Sequence, residues 1–296
     1  MQYSSPLRYP GGKSRLSDFM RLICTKNDLV GGEYVEPYAG GAGVALFLLY
    51  YESVRRIHIN DIDRSIWAFW ESAVNNTERL CKLIRERPVN TEEWKRQKEV
   101  QKKKNNASIL ELGFSTFFLN RTNRSGILSA GMIGGEDQSG SWKVDARYNK
   151  EGLIRRITKI GRFSDRIEVY NEDAVDLMNK IENDIPSKSL FYLDPPYFNE
   201  SDRLYENSYN FSDHKEVSEK VQSLSNCWIV SYDNEEEIKK LYSDVKSIGY
   251  SLSYSAQKKY EGSEVMFFSD NIKVPNVESP IRVGDSEVSK QLSFPR

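Results

Sequence analysis

Glu33-Tyr34-Val35-Glu36-Pro37-Tyr38-Ala39-Gly40-Gly41-Ala42-Gly43 is the stretch on which the fold turns. A short strand runs into a glycine-rich turn, and the apolar segment 44–51 that follows has helical character. A strand, a glycine turn and a helix in that order open a parallel sheet with helical crossovers, and glycines there let the backbone approach a ligand closely. The glycines fall at i, i+1 and i+3, which is not the dinucleotide fingerprint. A nucleotide-like cofactor and a purely structural turn both fit this segment on its own.

The rhythm continues downstream. Residues 56–60 alternate as a second strand, and 64–74 form an aromatic-rich helix. Between them, Asn60-Asp61-Ile62-Asp63 places Asp61 18 to 21 positions after the glycines. An acidic residue about 20 positions past such a loop commonly binds ribose hydroxyls, and one before a helix commonly caps it. After residue 164 the pattern resumes, with strands at 166–170, 189–193 and 227–230, helices near 213–224 and 234–242, and late strands near 245–252 and 264–269. Alternating strands and helices predict an α/β protein with a doubly wound, Rossmann-like sheet.

The middle of the chain differs. Residues 77–105 are charged and helical, 109–119 an apolar helix, and 149–160 a helix with Leu153, Ile154, Ile157 and Ile160 on one face. Five glycines between 126 and 140 predict a loop or β-hairpin. The whole chain of 296 residues has a net charge of only −1, yet residues 79–166 hold 20 Lys and Arg against 10 Asp and Glu. A basic insertion in an acidic chain suits phosphate binding, and a solvated helix surface would look similar. The expected organisation is one sheet domain of residues 1–75 and 165–270, interrupted at 76–164 by a basic, mainly helical inserted domain carrying a β-hairpin, with a loosely attached tail at 271–296 that holds three prolines.

Other function classes find little support. Cys24, Cys81 and Cys227 lie far apart and form no metal pattern with His58 and His214, so no metal site and no histidine-based catalysis is expected. No apolar run approaches the roughly 18 residues of a membrane span, and the N-terminal segment lacks signal-peptide features, so a cytoplasmic protein is expected. Arg8-Tyr9-Pro10-Gly11-Gly12-Lys13 resembles part of a P-loop, but no glycine at 5–7 completes the spacing, which disfavours an NTPase. The loop can instead hold a carboxylate beside Lys13.

The most specific signal is Asp194-Pro195-Pro196-Tyr197, directly after the strand 189–193. An aniline-like amine is a poor nucleophile because its lone pair is delocalised into the ring. A carboxylate and a backbone carbonyl can accept its two N–H bonds, pulling nitrogen toward sp³ and freeing the pair. Proline fixes φ and has no competing N–H, and Tyr197 can stack on a base.

Taken together, Arg8 to Lys13, Glu36 to Gly43, Asn60 to Asp63 and Asp194 to Tyr197 resemble the Dam-like, alpha-class DNA adenine-N(6) methyltransferases over about residues 7–269. The resemblance implies S-adenosyl-L-methionine as cofactor, double-stranded DNA as partner, and methylation of the 6-amino group of a flipped-out adenine. It implies that Tyr9, Gly11, Gly12 and Lys13 line the methionine end of the cofactor beside Glu36, Pro37, Tyr38, Gly40, Gly41 and Gly43. Asp61 would bind the ribose, Asp173 the cofactor adenine, and Asp194, Pro195, Pro196 and Tyr197 the target base. The segment 118–126 is similar to the family segment leading into a DNA-reading hairpin, which marks Asn120, Arg121, Asn123, Arg124 and Lys143 for DNA contact. Members that methylate GATC often carry Asn-Val-Pro-Tyr-Gly after that hairpin; here Ser141-Trp142-Lys143-Val144-Asp145 stands instead, so GATC is not implied. Restriction or defence proteins are the companions such an enzyme could have. The rival readings are a methyltransferase for cytosine or RNA adenine and a catalytically silent DNA-binding module.

Overall fold

The computed structural model describes residues 4–9, 11–198, 209–254, 260–284 and 288. In chain order these form α1 (Ser17–Lys26), β1 (Gly32–Glu36), α2 (Gly43–Tyr50), β2 (Val54–Asn60), α3 (Arg64–Asn75), α4 (Thr77–Glu86), α5 (Thr91–Lys102), α6 (Ile109–Thr122), α7 (Lys150–Gly161), β3 (Ile167–Tyr170), α8 (Ala174–Ile181), β4 (Leu190–Leu193), α9 (Phe211–Ser223), β5 (Cys227–Asp233), α10 (Glu236–Leu241), β6 (Lys246–Tyr254) and β7 (Tyr260–Phe268). They divide into two compact units, one of Met1–Gly12 with Asp61–Asn171, the other of Lys13–Asn60 with Glu172–Arg296.

The second unit is built on strands in the order β2-β1-β4-β5-β7-β6. The first four are parallel, and β7 runs antiparallel between β5 and β6. Every residue of β1 and β4 is buried, as expected of central parallel strands covered on both faces. This is the Rossmann-like doubly wound architecture. The connection leaving β1 runs outward to β2 and the one leaving β4 runs the opposite way to β5, so a topological switch point lies between the carboxyl ends of β1 and β4, where α/β sheets bind ligands. Glu36 ends one of these strands and Asp194 follows the other.

The tail, expected to be loosely attached, is held along its first part. Lys273 N donates to Asn27 Oδ1 (2.7 Å), Asn27 Nδ2 donates back to the Lys273 carbonyl (3.1 Å), and Ile272 is buried. Beyond 284 only Val288 lies within the described residues.

In the first unit α6 is the central helix. Its residues from Leu112 to Asn120 are all buried, so it shows no single apolar face. It approaches α3 closely: a Cβ on Gly113 would lie 2.4 Å from the Ala68 carbonyl oxygen. Phe117 stacks on Phe69 with ring centres 6.0 Å apart and meets Tyr148 edge-on. A capping box of Ser108 and Glu111 starts the helix. The glycine-rich segment is a loop, not a ladder of paired strands: its one bridge joins Asn123 to Met132. Positive φ at Gly134 (89°) and Gly135 (80°) bends the chain more tightly than a regular hairpin strand allows. Among the described residues no helix is long and apolar enough to cross a membrane.

All three cysteines are buried, and burial raises each thiol pKa, that of Cys24 to about 12. Thiolate is the reactive form. A disulfide reagent at pH 8 is therefore expected to leave the native protein unmodified and to titrate three thiols in denaturant. Stoichiometric labelling of the native protein would contradict this burial.

Candidate functional site

In the second unit, Asp194 is half-buried just beyond β4. Its Oδ1 accepts from Ser231 Oγ (2.7 Å), which pairs with the Tyr192 hydroxyl (2.8 Å), and lies 3.0 Å from Lys13 Nζ. Oδ2 accepts from no described residue, nor does the Pro195 carbonyl oxygen. The two acceptors expected to receive an amine thus keep their capacity, while the carboxylate itself is fixed through its other oxygen.

Tyr197, also buried, turns its hydroxyl inward. Lys13 Nζ donates to it (2.7 Å), and it donates to Glu264 Oε1, whose Oε2 accepts from the Tyr250 hydroxyl. Lys13 Nζ is 3.4 Å from Glu264 Oε1. Burial and then Asp194 push the Tyr197 hydroxyl far above its ordinary range, so it stays a donor. Glu264 is also raised by burial, with Lys13 and both tyrosines opposing. Lys13, expected beside the methionine end of a cofactor, is found here against Asp194.

Glu36, at the end of β1, is fully buried. Desolvation first and Asp194 second raise its pKa well above the carboxylate range, and its Oε2 has no hydrogen-bond partner. Asn60 fixes the turn that follows: its Nδ2 donates to the Pro37 carbonyl (2.8 Å) and the Glu172 carbonyl (3.0 Å), while its Oδ1 accepts from Glu172 N (2.9 Å). A Cβ on Gly43 would meet Ser14 Oγ at 2.2 Å, so the start of α2 tolerates no side chain there. Gly40 takes φ +44°, while Gly41 is half-buried in the same turn. The Tyr38 hydroxyl pairs with that of Tyr209 (3.0 Å). Asp173 caps α8, accepting from Val175 N (2.8 Å). Pro196 is half-buried beside Asp194.

The remaining expected residues belong to the first unit. Tyr9, Gly11 and Gly12 form a turn in which Gly12 N donates to the Tyr9 carbonyl (3.1 Å) and Gly11 has φ +73°. Pro10 lies outside the described residues. The cap of α3 is Asp63, through Ser65 N (2.8 Å); Asp61 Oδ1 accepts from Asp63 N (3.0 Å). The helix-capping alternative for Asp61 therefore fell to its neighbour.

Two of the five expected DNA contacts are corrected. Asn120 and Asn123 are buried, and each has both N–H donors committed. Asn120 Oδ1 accepts from Arg8 N (2.7 Å), and its Nδ2 donates to the Arg8 (2.7 Å) and Gly126 (2.9 Å) carbonyls. Asn123 Nδ2 donates to the Ile127 and Leu128 carbonyls (both 2.9 Å), and its Oδ1 accepts from Trp94 Nε1 (2.6 Å). An asparagine reads adenine only with a free donor and acceptor together, so neither can. Arg124 lies exposed across Gly131, and Lys143 is exposed and donates to the Gln138 carbonyl. Arg121 donates to the Arg147 carbonyl (2.8 Å); burial, then Arg8, Arg156 and Arg147, bring its pKa down to about 10, which leaves it charged at neutral pH.

The sequence reading did not single out Ser231, Tyr250 or Glu264 individually, or Trp142, which is 66% exposed. For Glu264 a signal existed: a lone carboxylate opening the otherwise apolar run Val265 to Phe268. Among the described residues no group of His, Cys, Asp and Glu could hold a metal ion.

Residues 9–258 match the family model of D12 class N6 adenine-specific DNA methyltransferases. The type II methyltransferase M.MjaIII of Methanocaldococcus jannaschii is 21% identical over 212 residues, 67% of this chain and 70% of that protein. Among solved structures, the rRNA methyltransferase aviRa of Streptomyces viridochromogenes aligns with 13% identity and a TM-score of 0.33, covering 80% of this chain and 76% of that one. Protein LPL1258 of Legionella pneumophila aligns with 13% identity and a TM-score of 0.35, covering 94% and 90%. At those scores neither alignment bears on the site.

Proposed function

The chain belongs to the D12 class N6 adenine-specific DNA methyltransferases, and from that premise we propose that it transfers the methyl group of S-adenosyl-L-methionine to the 6-amino group of an adenine extruded from duplex DNA. The observation that carries this reading is a pair of acceptors that no described residue occupies, Asp194 Oδ2 and the Pro195 carbonyl, on a segment whose carboxylate is fixed by Ser231 and Lys13.

The residues present fit the cofactor. A buried carboxyl with an orphaned oxygen, Glu36, stands beside the glycine turn, and Asp194 and Glu264 bring negative charge suited to a sulfonium. Glu36 with the turn 37–43 would hold its methionine end, and Asp173 its adenine. When bound, it supplies an electrophilic methyl group. Asp194 and the Pro195 carbonyl accept the amine's two N–H bonds, raise the density on nitrogen and aim its lone pair. Tyr197, anchored by its hydroxyl, offers a wall to the extruded base, and Pro196 keeps the segment rigid. Positioning two bound reactants in this way can supply about 7–11 kcal/mol of the barrier.

Extrusion costs a few kcal/mol, which binding to the duplex must offset. We assign that binding to the target-recognition region at 76–164, through Arg121 with its neighbours Arg8, Arg147 and Arg156, and through exposed Arg124 and Lys143. Replacing Arg124 and Lys143 together with Ala is expected to weaken binding to all duplexes alike. The slope of log K against log[salt] should become shallower by roughly 2, since each lost phosphate contact removes about 0.9. Fluorescence titration at several salt concentrations measures it; an unchanged slope removes both residues from the interface. We further propose a cytoplasmic enzyme, with restriction or defence proteins as companions.

The reaction is tested by incubating the chain with methyl-labelled cofactor and duplex DNA, then digesting to nucleosides. Label is expected in N6-methyldeoxyadenosine. Label in methylcytosine, or in RNA only, overturns the assignment.

A further inference from the structure

Glu264 is a carboxylate midway along β7, directly before its apolar run Val265 to Phe268, and is in register with Asp233 on β5 and Tyr250 on β6. It is 1% exposed, and Lys13 beside it only 4% exposed, whereas Asp194 is open to solvent by 20%. Burying an ion costs several kcal/mol unless it is paired and hydrogen-bonded. Both oxygens are so satisfied, Oε1 by Tyr197 and Lys13 and Oε2 by Tyr250. One ammonium is thus shared between two carboxylates, 3.0 Å from Asp194 and 3.4 Å from Glu264.

Charge explains what the second carboxylate adds. Lys13 against Asp194 alone would make a neutral pair, and the ammonium would cancel most of the pull of Asp194 on an incoming amine. With Glu264 ionised, the three groups sum to −1. As the N–CH₃ bond forms from the nitrogen lone pair and the S–CH₃ pair returns to sulfur, positive charge builds on the amine nitrogen, which afterwards sheds one proton to water. A preorganised site of net negative charge stabilises that development more than a neutral one, and burial strengthens the effect.

We propose that Glu264 is a positioning residue for methyl transfer: as counterion of Lys13 and anchor of the Tyr197 hydroxyl, it leaves the charge of Asp194 available to the amine. The inference rests on the reading of Asp194 as the amine acceptor. It makes Glu264 matter through Lys13, which a double-mutant cycle measures directly.

The full chain is compared with Glu264→Gln, Lys13→Met, the double variant and Glu264→Asp, using labelled S-adenosyl-L-methionine and duplex DNA. For Glu264→Gln, kcat should fall about 100-fold, the lower end of the range seen when one preorganised electrostatic group is lost. Both KM values and cofactor binding by equilibrium dialysis should stay within roughly threefold, as expected for an interaction realised in the transition state. Glu264→Asp, which keeps the charge, should be about tenfold faster than Glu264→Gln, again on the scale of one such group. In the Lys13→Met background, adding Glu264→Gln should cost at least about fivefold less than it does alone, because its part as counterion of Lys13 is already gone. Glu264→Gln itself leaves no lone buried charge, because Lys13 keeps Asp194 at 3.0 Å, and Glu264→Asp keeps the charge if the amide variant nonetheless fails to fold.

A Glu264→Gln enzyme with near-normal kcat overturns the inference, as does a loss of cofactor binding as large as the loss of kcat, or a full further loss in the Lys13→Met background. If Asp194 variants are inactive while Glu264→Gln is not, only this inference falls. A wild-type chain that methylates no DNA adenine overturns both readings.

Discussion

Asp194→Ala is expected to lower kcat by at least about a thousandfold, or roughly 4 kcal/mol of transition-state stabilisation, while cofactor binding survives within a few-fold. The substitution removes one of the two acceptors that draw the amine lone pair out of the ring, and no described neighbour replaces it. Lys13 is a donor only, and the Ser231 hydroxyl, already paired with Tyr192, is neutral and a much weaker acceptor than a carboxylate. The fold should persist because Lys13 keeps Glu264 at 3.4 Å and so is not left as a lone buried charge. Single-turnover methylation with saturating cofactor, alongside equilibrium dialysis, gives both numbers. A variant within tenfold of wild type would remove Asp194 from the chemistry and the amine-acceptor reading with it.

Asn120→Ala is expected to act on stability rather than on sequence preference. The side chain joins the Arg8 backbone, in both directions, to Gly126 through three hydrogen bonds in a buried setting. Truncation loses those bonds and strands buried backbone groups, each costing about 1–3 kcal/mol. A loss of about 3–4 kcal/mol follows once partial relaxation and water entry are allowed. For a protein of this size that lowers Tm by on the order of 10 °C. Calorimetry and a panel of DNA sites test it together. An unchanged Tm with altered site preference would restore Asn120 as a base-reading residue.

The contrast between Asp194 and Asn120 marks what the sequence could convey. Asp194-Pro195-Pro196-Tyr197 follows an unbroken apolar strand, so its place at a strand's carboxyl end was legible from local pattern alone. The same holds for the Glu36 turn, and the helix read at 149–160 buries Leu153, Ile157 and Ile160 as its spacing predicts. Asn120 and Asn123 failed for a general reason: an exposed and a buried amide have the same letter, and only tertiary packing decides whether its donors are spent inside. For the glycine-rich segment local pattern left loop and hairpin open, and the structure has the loop, with a single bridge between Asn123 and Met132. Glu264 lies about 70 residues beyond Asp194 and 250 beyond Lys13 in sequence. Their meeting depends on β7 inserting antiparallel beside β5, which no local signal announces.

The glycine-rich segment is closed upon itself twice. Arg124 N donates to the Gly131 carbonyl (3.0 Å) and Ile133 N to the Thr122 carbonyl (2.9 Å), sealing the first ring; Gly140 N donates to the Gly134 carbonyl (3.1 Å), sealing the second. A ring fastened at its neck insulates the helix beneath it from whatever the rim contains. Lengthening such a rim is inexpensive, about 0.6 kcal/mol for each doubling. The rim from 135 to 139 is therefore where the chain can lengthen at least cost to its host, provided Gln138, which bonds to the Ile133 carbonyl and Val144 N, is kept.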